Sequence, residues 1–421
     1  MRTRILALCM MVVLLCASFV TGASAEDQVL QLWHIQTQET MQECIADSVA
    51  RFEAANPGWK VEVNCFQNED YKQKIVIALG SNTQPDIFVT WTGGGMVEYI
   101  EAGQIVPVTE YMNKDNWKDH YMDAAIAQAT YNGEIWCSPT ENCSIAAIFY
   151  NKAMFEKYGI AVPTTVTELE AACDTLVANG IVPFGLPNKS KYFGSMYYMY
   201  LVDRMAGPSL FESAANRTGA TFQDEVFTWA GEKLQDWARK GYFGEGYTSM
   251  DGETGAHREM FYNEECAMLL DGSWCVSTYY ADEAPILDDI GVFAFPAVEG
   301  GKGDPNNLVG TLGDTFYCVS SKCANPEMAF EMCKYLIDDV AVEQRIALGR
   351  IPPVKSAYVD NAINEALLGL LKAAPSIQLW YDQYLPSDLA EVHKNTLQSL
   401  LALEITVAEY DSTMENAMLA K

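Results

Sequence analysis

The stretch that decides the fold is VLQLWHIQTQETMQECIADSVARFEAANPGWKVEVNCFQNEDYKQKIVIALGSNTQPDIFV, residues 29–89. Its apolar residues follow strand-like and helix-like spacings in turn, and Asn56-Pro57-Gly58 and Gly80 close the two helices. Strands that alternate with helices predict a parallel sheet. The predicted order is a strand at 29–33, a helix over 41–52, a strand at 61–65, a helix over 71–79 and a strand at 85–89.

The same alternation returns after Pro139, which predicts a second α/β unit. Thr165 and Glu168 form a capping box for a helix that runs to Asn179. Asn325-Pro326 is a start signal for a later helix, and most of the last hundred residues are predicted to be helical. The other predicted elements of this unit are strands at 145–150, 181–186 and 267–270 and a helix near 223–240.

No Ser-rich linker, charge block or short repeat separates the two units. We therefore expect the chain to cross between them several times.

The beginning of the chain predicts export. Arg2 and Arg4 precede an apolar run over 5–20, and Ala23-Ser24-Ala25 fits a signal-peptidase site, so a cleaved signal peptide is expected over 1–25. The run is short for a retained membrane anchor. Lipid attachment at Cys16 is also the weaker interpretation, because a lipoprotein signal has a small residue where this chain has Leu15. Export to the periplasm is the favoured interpretation, and association with the cell surface is the alternative.

Charge argues against anionic ligands. The 27 Lys and Arg residues fall to 25 when Arg2 and Arg4 are removed, which against 56 Asp and Glu leaves a net charge of −31. Such a field repels nucleic acid and anionic lipid, so a neutral ligand is expected and nucleic acid is not. The remaining length of about 395 residues suits two domains.

Cysteine and histidine patterns give no metal or cofactor signal. Ten cysteines follow the predicted leader, with no C-x-x-C among them, and the chain has four histidines, so neither a metal nor a cofactor is expected. Disulfides Cys137–Cys143 and Cys266–Cys275 are two open alternatives to buried free thiols.

Two turns that follow predicted strands are candidate ligand positions. Trp91-Thr92-Gly93-Gly94-Gly95 offers an aromatic ring and, around Gly94, a close backbone approach; a tight turn is the alternative. Asp271-Gly272-Ser273-Trp274 offers a second ring. Aromatic faces suit the C–H face of a sugar, although core packing accounts for many tryptophans. The tryptophans at predicted element ends are Trp33, Trp91, Trp274 and Trp380.

Polar side chains near the same ends could bind sugar hydroxyls, although most acids in so anionic a chain are simply solvated. Lys191-Tyr192-Phe193 supplies a donor beside aromatics, with a plain helix start as the alternative. The candidate carboxylates and amides are Glu39, Glu141, Asn142, Asp314 and Asp382.

Motifs for catalysis are absent from the sequence: it has no G-x-S-x-G, no H-E-x-x-H and no cysteine with an evident histidine partner. We therefore expect a binding protein and not an enzyme. A glycosidase needs only two carboxylates, so an exported carbohydrate-active enzyme remains the alternative, with a chemosensory sugar receptor as a third possibility.

Five short motifs resemble those of the extracellular solute-binding proteins of ABC sugar importers, the group that includes maltose-binding protein. They occur in family order along nearly the whole chain after the leader. The five are Phe52-Glu53-x-x-Asn56-Pro57-Gly58, Gln84-Pro85-Asp86-Ile87-Phe88, Tyr150-Asn151-Lys152-x-x-Phe155, Ala267-Met268-x-x-x-Gly272-Ser273-Trp274 and Asn325-Pro326-Glu327-x-Ala329.

The resemblance implies a type II periplasmic-binding-protein fold: two α/β lobes, each a mostly parallel sheet flanked by helices, with a ligand cleft between them. Residues 26–138 and 310–347 would form lobe 1, and residues 139–309 and 348–421 lobe 2. It also implies a monomer that closes on a mono- or oligosaccharide and delivers it to the permease subunits of an ABC transporter.

By position, Trp91, Tyr192 and Trp274 look like the family's stacking aromatics, and Glu141 with Asn142 looks like its polar pair. Gly349-Arg350-Ile351-Pro352 and the segment from Trp380 through Asp382 to Pro386 resemble segments that line the cleft. Thr92 and the glycines stand where maltose-binding protein has charged residues, which puts maltose itself in doubt.

Overall fold

Two lobes, each built around its own β-sheet, make up the protein. The computed structural model describes residues 28–420, so the predicted signal peptide lies outside the described residues.

The first lobe begins with alternating strands and helices as predicted. The elements up to the first crossing are β1 (Gln28–His34), α1 (Glu39–Ala55), β2 (Trp59–Cys65), α2 (Asn68–Ser81), β3 (Ile87–Thr90), α3 (Gly94–Glu101), α4 (Thr109–Asn113), α5 (Asp123–Gln128), β4 (Thr130–Tyr131), β5 (Glu134–Ile135) and β6 (Cys137–Pro139).

The second lobe is larger and richer in helix. Its elements up to the second crossing are β7 (Asn142–Asn151), α6 (Lys152–Tyr158), α7 (Val166–Ala178), β8 (Val182–Phe184), α8 (Tyr192–Ala206), α9 (Ser209–Ala215), α10 (Glu225–Arg239), α11 (Ala256–Tyr262), β9 (Cys266–Gly272), α12 (Cys275–Ala281), β10 (Ile290–Phe293) and β11 (Leu308–Gly313).

The rest of the chain returns to the first lobe and then completes the second. These elements are β12 (Phe316–Val319), α13 (Pro326–Tyr335), α14 (Asp339–Ala347), α15 (Ala362–Ala373), β13 (Ile377–Gln378), α16 (Tyr381–Tyr384), α17 (Ser387–Leu401) and α18 (Val407–Leu419). The prediction that the C-terminal region is mostly helical is confirmed.

Both sheets are mixed, which corrects the expectation that each is mostly parallel. In the first sheet, ordered β2-β1-β3-β12-β6, β1 pairs in parallel with β2 and β3, but β12 is antiparallel to β3 and β6. In the second, ordered β13-β11-β7-β9-β8, β7 runs antiparallel to β9, β10 and β11. Strands that enter from the other lobe need no βα crossover, so they are free to run antiparallel.

Three chain segments cross between the lobes and hydrogen-bond to one another. The Thr140 and Glu141 amides donate to the carbonyls of Thr315 and Gly313, at 3.2 and 3.1 Å, and the Cys143 amide donates to the Ile351 carbonyl at 2.7 Å. Several crossings were expected from the lack of a linker. The second crossing lies after Gly313, so residues 310–313 of the proposed first lobe belong to the second sheet.

Local signals in the sequence fix several helix starts. The Thr165 capping box is formed, and the Asn325 side chain accepts a hydrogen bond from the Met328 amide at 3.1 Å, with Pro326 at the first helical position. These contacts satisfy amides that a helix start leaves unpaired.

All ten cysteines of the described residues are free thiols, and nine of them are buried. Neither candidate disulfide is formed, and the cysteines act as small core residues. No helix within residues 28–420 is long and apolar enough to cross a membrane.

Candidate functional site

A cavity of about 380 Å³ lies between the lobes, beside the crossings. The first lobe contributes the loop after β1, α2 and the end of β3. The second lobe contributes the start of α8, the residues after β9 and the segment around α16. Residues of the crossings, Asp314 and Arg350, also line it.

Three aromatic rings form the second-lobe wall. The ring centroids of Trp274 and Trp380 are 5.7 Å apart, and those of Tyr192 and Trp274 are 6.4 Å apart with an edge-on orientation. The glycine at 272 is required, because a Cβ there would overlap the Trp274 indole. The turn after β9 therefore holds that indole against the backbone.

Trp91 forms the opposite wall at the end of β3. Its ring meets Tyr71 edge-on at 6.0 Å, and the Lys72 ammonium lies 5.0 Å from its centroid. Lys72 also lies 3.7 Å from the Asp382 carboxylate, across the cleft. Trp91 is thus held by first-lobe groups next to an ion pair that joins the lobes.

Arg350 occupies the crossing side of the cavity and contacts both lobes. Its guanidinium donates to the Ser277 hydroxyl at 3.0 Å and to the Gln36 side-chain oxygen at 3.4 Å, and it lies 3.7 Å from Asp314. Burial raises the pKa of Asp314 to about 6, because Arg350 offsets only part of the lost hydration. Burial also lowers the pKa of Arg350.

Gln38, a glutamine of the first lobe, links the two walls directly. The Gln38 amide, in the loop after β1, donates to the Thr278 hydroxyl on α12, and its oxygen accepts from Ser277 at 3.2 Å. These bonds join the lobes at the cavity.

Glu253 and Arg258 supply further polar groups. The Tyr192 hydroxyl donates to Glu253 at 3.5 Å, and burial, with the nearby Glu69 and Asp251 carboxylates, raises the pKa of Glu253. The Arg258 Nε is buried without a hydrogen-bond partner among residues 28–420. The Glu253 carboxylate is thus available as an acceptor, and the Arg258 Nε as a donor, for a polar ligand.

The structure brings seven of the thirteen predicted residues to this cavity. They are Trp91, Tyr192, Trp274, Asp314, Arg350, Trp380 and Asp382.

Glu141 and Asn142 lie in the first crossing and not on the cavity, which corrects their predicted position. Glu141 is completely buried and pairs with Arg345 through both carboxylate oxygens, at 3.0 and 3.1 Å. The Asn142 side chain accepts from the Ile351 amide at 2.7 Å and donates to Ser273 at 3.2 Å. Both polar groups are used to hold the crossings together.

Four other predicted residues also lie elsewhere. Trp33 packs on Phe66 with centroids 4.9 Å apart, and Glu39 is exposed in the first turn of α1. Lys191 lies in a neighbouring cavity. A Cβ on Gly94 would lie 2.5 Å from the Leu385 carbonyl, so the glycine permits close contact between the lobes.

Sequence reasoning missed several lining residues, among them Gln36, Gln38, Lys72, Glu253 and Arg258. Gln36 and Gln38 follow β1 at its carboxyl end, a position where ligand residues are common, so that signal was available. Lys72, Glu253 and Arg258 lie in or next to helices, and only the tertiary fold turns them toward the cleft.

His393 also has a partner that the sequence does not reveal. Its Nε2 lies 2.7 Å from the Ser195 hydroxyl and its Nδ1 lies 3.0 Å from the Tyr410 hydroxyl. Ser195 lines the cavity but is 2% exposed, and burial lowers the pKa of His393 to about 4. Among the residues that the structure describes, no carboxylate orients this imidazole through a hydrogen bond, in contrast to a Ser-His-Asp triad.

No group of three or more His, Cys, Asp or Glu side chains within residues 28–420 could hold a metal ion.

A family model described as bacterial extracellular solute-binding protein matches residues 34–343 of this chain. The chain belongs to that family. The match includes most strands of both sheets, two of the three crossings and most of the residues that line the cavity.

Individual relatives agree with this assignment. An uncharacterized ABC transporter extracellular-binding protein of Pyrococcus horikoshii is 24% identical over 343 residues, 79% of this chain and 73% of that protein. The multiple sugar-binding protein of Streptococcus mutans is 23% identical over 366 residues, 85% of this chain and 83% of that protein.

A solved structure from a study of xylan utilization by the thermophilic bacterium Caldanaerobius polysaccharolyticus superposes with a TM-score of 0.87. It is 28% identical and covers 93% of this chain and 100% of its own. The two-lobed α/β fold predicted from the sequence is confirmed.

Proposed function

We propose that this solute-binding protein captures an uncharged mono- or oligosaccharide between its lobes, outside the cytoplasm, and delivers it to the permease subunits of an ABC transporter. The convergence of Trp91, Tyr192, Trp274 and Trp380 on one inter-lobe cavity carries the proposal. Rings on opposite walls suit the two C–H faces of a sugar ring.

The polar groups of the cavity fit hydroxyls better than a charged ligand. Lys72 lies next to Asp382, and Arg350 lies next to Asp314, so most of the cationic charge is already matched by carboxylates. A ligand carboxylate or phosphate would have to compete with these pairs. A neutral hydroxyl can donate to Glu253 and accept from Arg258 without that competition.

The names of the relatives support the same ligand class. The Streptococcus mutans relative is a multiple sugar-binding protein, and the similar solved structure comes from work on xylan utilization. A permease partner is supported by the Pyrococcus horikoshii relative, which is described as an ABC transporter binding protein. We further propose a periplasmic monomer, released by cleavage after Ala25, that has no enzymatic activity of its own.

A thermal-shift screen of the purified protein over neutral pentose and hexose oligosaccharides tests the proposal. We expect at least one sugar to raise the melting temperature in a concentration-dependent way, because a ligand that binds only the folded state stabilises it. Trp274→Ala is expected to weaken binding by about 1–3 kcal/mol, the value of burying one large apolar side chain. No shift with any sugar would count against carbohydrate as the solute.

The alternative of a carbohydrate-active enzyme is tested in the same samples. Release of reducing ends from an oligosaccharide that binds, lost in a variant of Glu253 or Asp382, would establish hydrolysis and replace the transport proposal. We expect the oligosaccharide to be recovered intact.

A further inference from the structure

The start of α17, in the second lobe, is capped by Glu98 of α3, in the first lobe. Both oxygens of the Glu98 carboxylate accept from the Ser387 amide, at 3.3 and 3.2 Å, and one of them also accepts from the Ser387 hydroxyl. Ser387 is the first residue of α17, and Pro386 before it supplies no side-chain cap. A helix of one lobe thus takes its cap from the other lobe.

The charge of Glu98 makes this a strong contact for its size. The first amides of a helix have no partner within the helix, and the helix dipole favours a negative charge at this end. Hydrogen bonds that a carboxylate accepts are roughly twice as strong as neutral ones. By comparison, the partly exposed pair of Lys72 and Asp382, which also joins the lobes, is 3.7 Å apart, and such pairs contribute little.

Two glycines before Glu98 let the lobes meet at backbone distance. A Cβ on Gly94 would lie 2.5 Å from the Leu385 carbonyl, and one on Gly93 would overlap the Gln383 carbonyl oxygen. The start of α3 therefore lies directly against the segment that leads into α17. This close approach brings the short Glu98 side chain within reach of the Ser387 amide.

Glu98 and Ser387 lie outside the ligand cavity. Neither of them lines the cavity of about 380 Å³, whereas Gln38, which donates to Thr278 across the lobes, does. A sugar in the cavity can rearrange the Gln38 bonds directly. The contact between Glu98 and Ser387 consists only of atoms of the chain, so it depends on how close the lobes are and not on what lies between them.

We propose that Glu98 is a positioning residue that holds the lobes together by capping α17, and that it draws part of the protein into this closed arrangement before a solute binds. The contact forms only where α3 meets the start of α17, so its free energy favours the closed arrangement alone. Affinity then depends on a side chain that never touches the solute. The inference rests on the proposed capture of a solute between the lobes, but not on which solute it is.

The test compares Glu98→Ala with a matched control on the same helix. Glu101 is the last residue of α3, and its carboxylate accepts from the Tyr131 hydroxyl of its own lobe at 3.5 Å. Glu101→Ala therefore changes charge and helix propensity as Glu98→Ala does, but leaves the contact with α17 in place. Ser387→Ala is a partial variant, because it removes the hydroxyl and keeps the amide.

Small-angle X-ray scattering of the four purified proteins without sugar measures the lobe arrangement. The radius of gyration of Glu98→Ala should exceed that of wild type, Ser387→Ala should lie between the two, and Glu101→Ala should match wild type. Far-UV circular dichroism should be the same for all four, since each retains its fold. Identical scattering from wild type and Glu98→Ala, or an equal increase in Glu101→Ala, would overturn the inference.

Sugar release gives a second readout that a merely structural role of Glu98 would not move. Stopped-flow tryptophan fluorescence follows dissociation of xylotriose, cellotriose or maltotriose, whichever binds. Release from Glu98→Ala should be at least about tenfold faster than from wild type and Glu101→Ala, because the lobes must part and a hydrogen bond to a charged group is lost. An unchanged release rate would also overturn the inference. If wild type bound none of the three, carbohydrate as the solute would lose support, while scattering would still decide the role of Glu98.

Discussion

Breaking the buried pair of Glu141 and Arg345 should destabilise the protein and not merely weaken its ligand binding. Both side chains are completely inaccessible, and the carboxylate accepts from the guanidinium at 3.0 and 3.1 Å. The Tyr317 hydroxyl also donates to Glu141, at 3.4 Å. Burial alone would lower the pKa of Arg345, but the Glu141 carboxylate raises it, so the guanidinium remains charged.

The size of the effect follows from the unpaired charge that remains. Removal of one partner of a buried ion pair costs about 3–5 kcal/mol, whereas replacing both by apolar side chains is often neutral. Glu141→Leu should therefore lower the free energy of unfolding by about 3–5 kcal/mol, and Arg345→Met by a similar amount. The free energy of unfolding of the double variant should fall by much less than the sum of the two single-variant losses.

Urea denaturation followed by tryptophan fluorescence and far-UV circular dichroism measures all four proteins. Sugar affinity of the folded double variant should stay close to that of wild type, because neither side chain lines the cavity. If Glu141→Leu left the unfolding midpoint unchanged and reduced only sugar affinity, Glu141 would be a ligand residue and the structural role described here would be wrong.

Two further perturbations probe lobe contact and pH. Gly94→Ala should force the Leu385 carbonyl away, at an overpacking cost of about 1–3 kcal/mol. Sugar affinity measured by calorimetry should therefore fall roughly tenfold to a hundredfold. Gly95→Ala is the control, and equal sugar affinities of the two variants would contradict the contact between Gly94 and Leu385. Burial raises the pKa of Asp411 from 3.8 to about 6, so the fold favours its protonated form and stability from this group is lost as pH rises from 4 to 6. Asp411→Asn should match wild type near pH 4 and exceed its unfolding free energy by on the order of 1 kcal/mol above pH 6. If the difference in unfolding free energy between Asp411→Asn and wild type did not change with pH, the raised pKa of Asp411 would be refuted. Burial lowers the pKa values of His34 and His393 to about 4, but both histidines titrate in both proteins, so their contributions cancel.

The fold was predictable because its signals are local. Hydrophobic periodicity located β1, α1, β2, α2 and β3, and the capping residues Thr165 and Asn325 begin helices as expected. The antiparallel strands were not predicted, since strand direction depends on where the chain crosses between lobes and not on any short pattern.

The site was predictable only in part, for a physical reason. Aromatics directly after strands, such as Trp91 and Trp274, project at the sheet edge where the lobes meet, so position along the chain located them. Glu141 and Asn142 occupy the same kind of position, but at the crossing the buried Arg345 and the Ile351 amide take up their polar groups. Sequence shows that a carboxylate is present but not which partner it pairs with.

The most direct test of the central claim is calorimetric titration of the wild-type protein and Trp274→Ala with the sugar that gives the largest thermal shift. We predict saturable binding of one sugar per wild-type chain, and an affinity for Trp274→Ala lower by about 1–3 kcal/mol at unchanged secondary structure. Equal affinities for the two folded proteins would place the sugar outside this cavity and contradict the account.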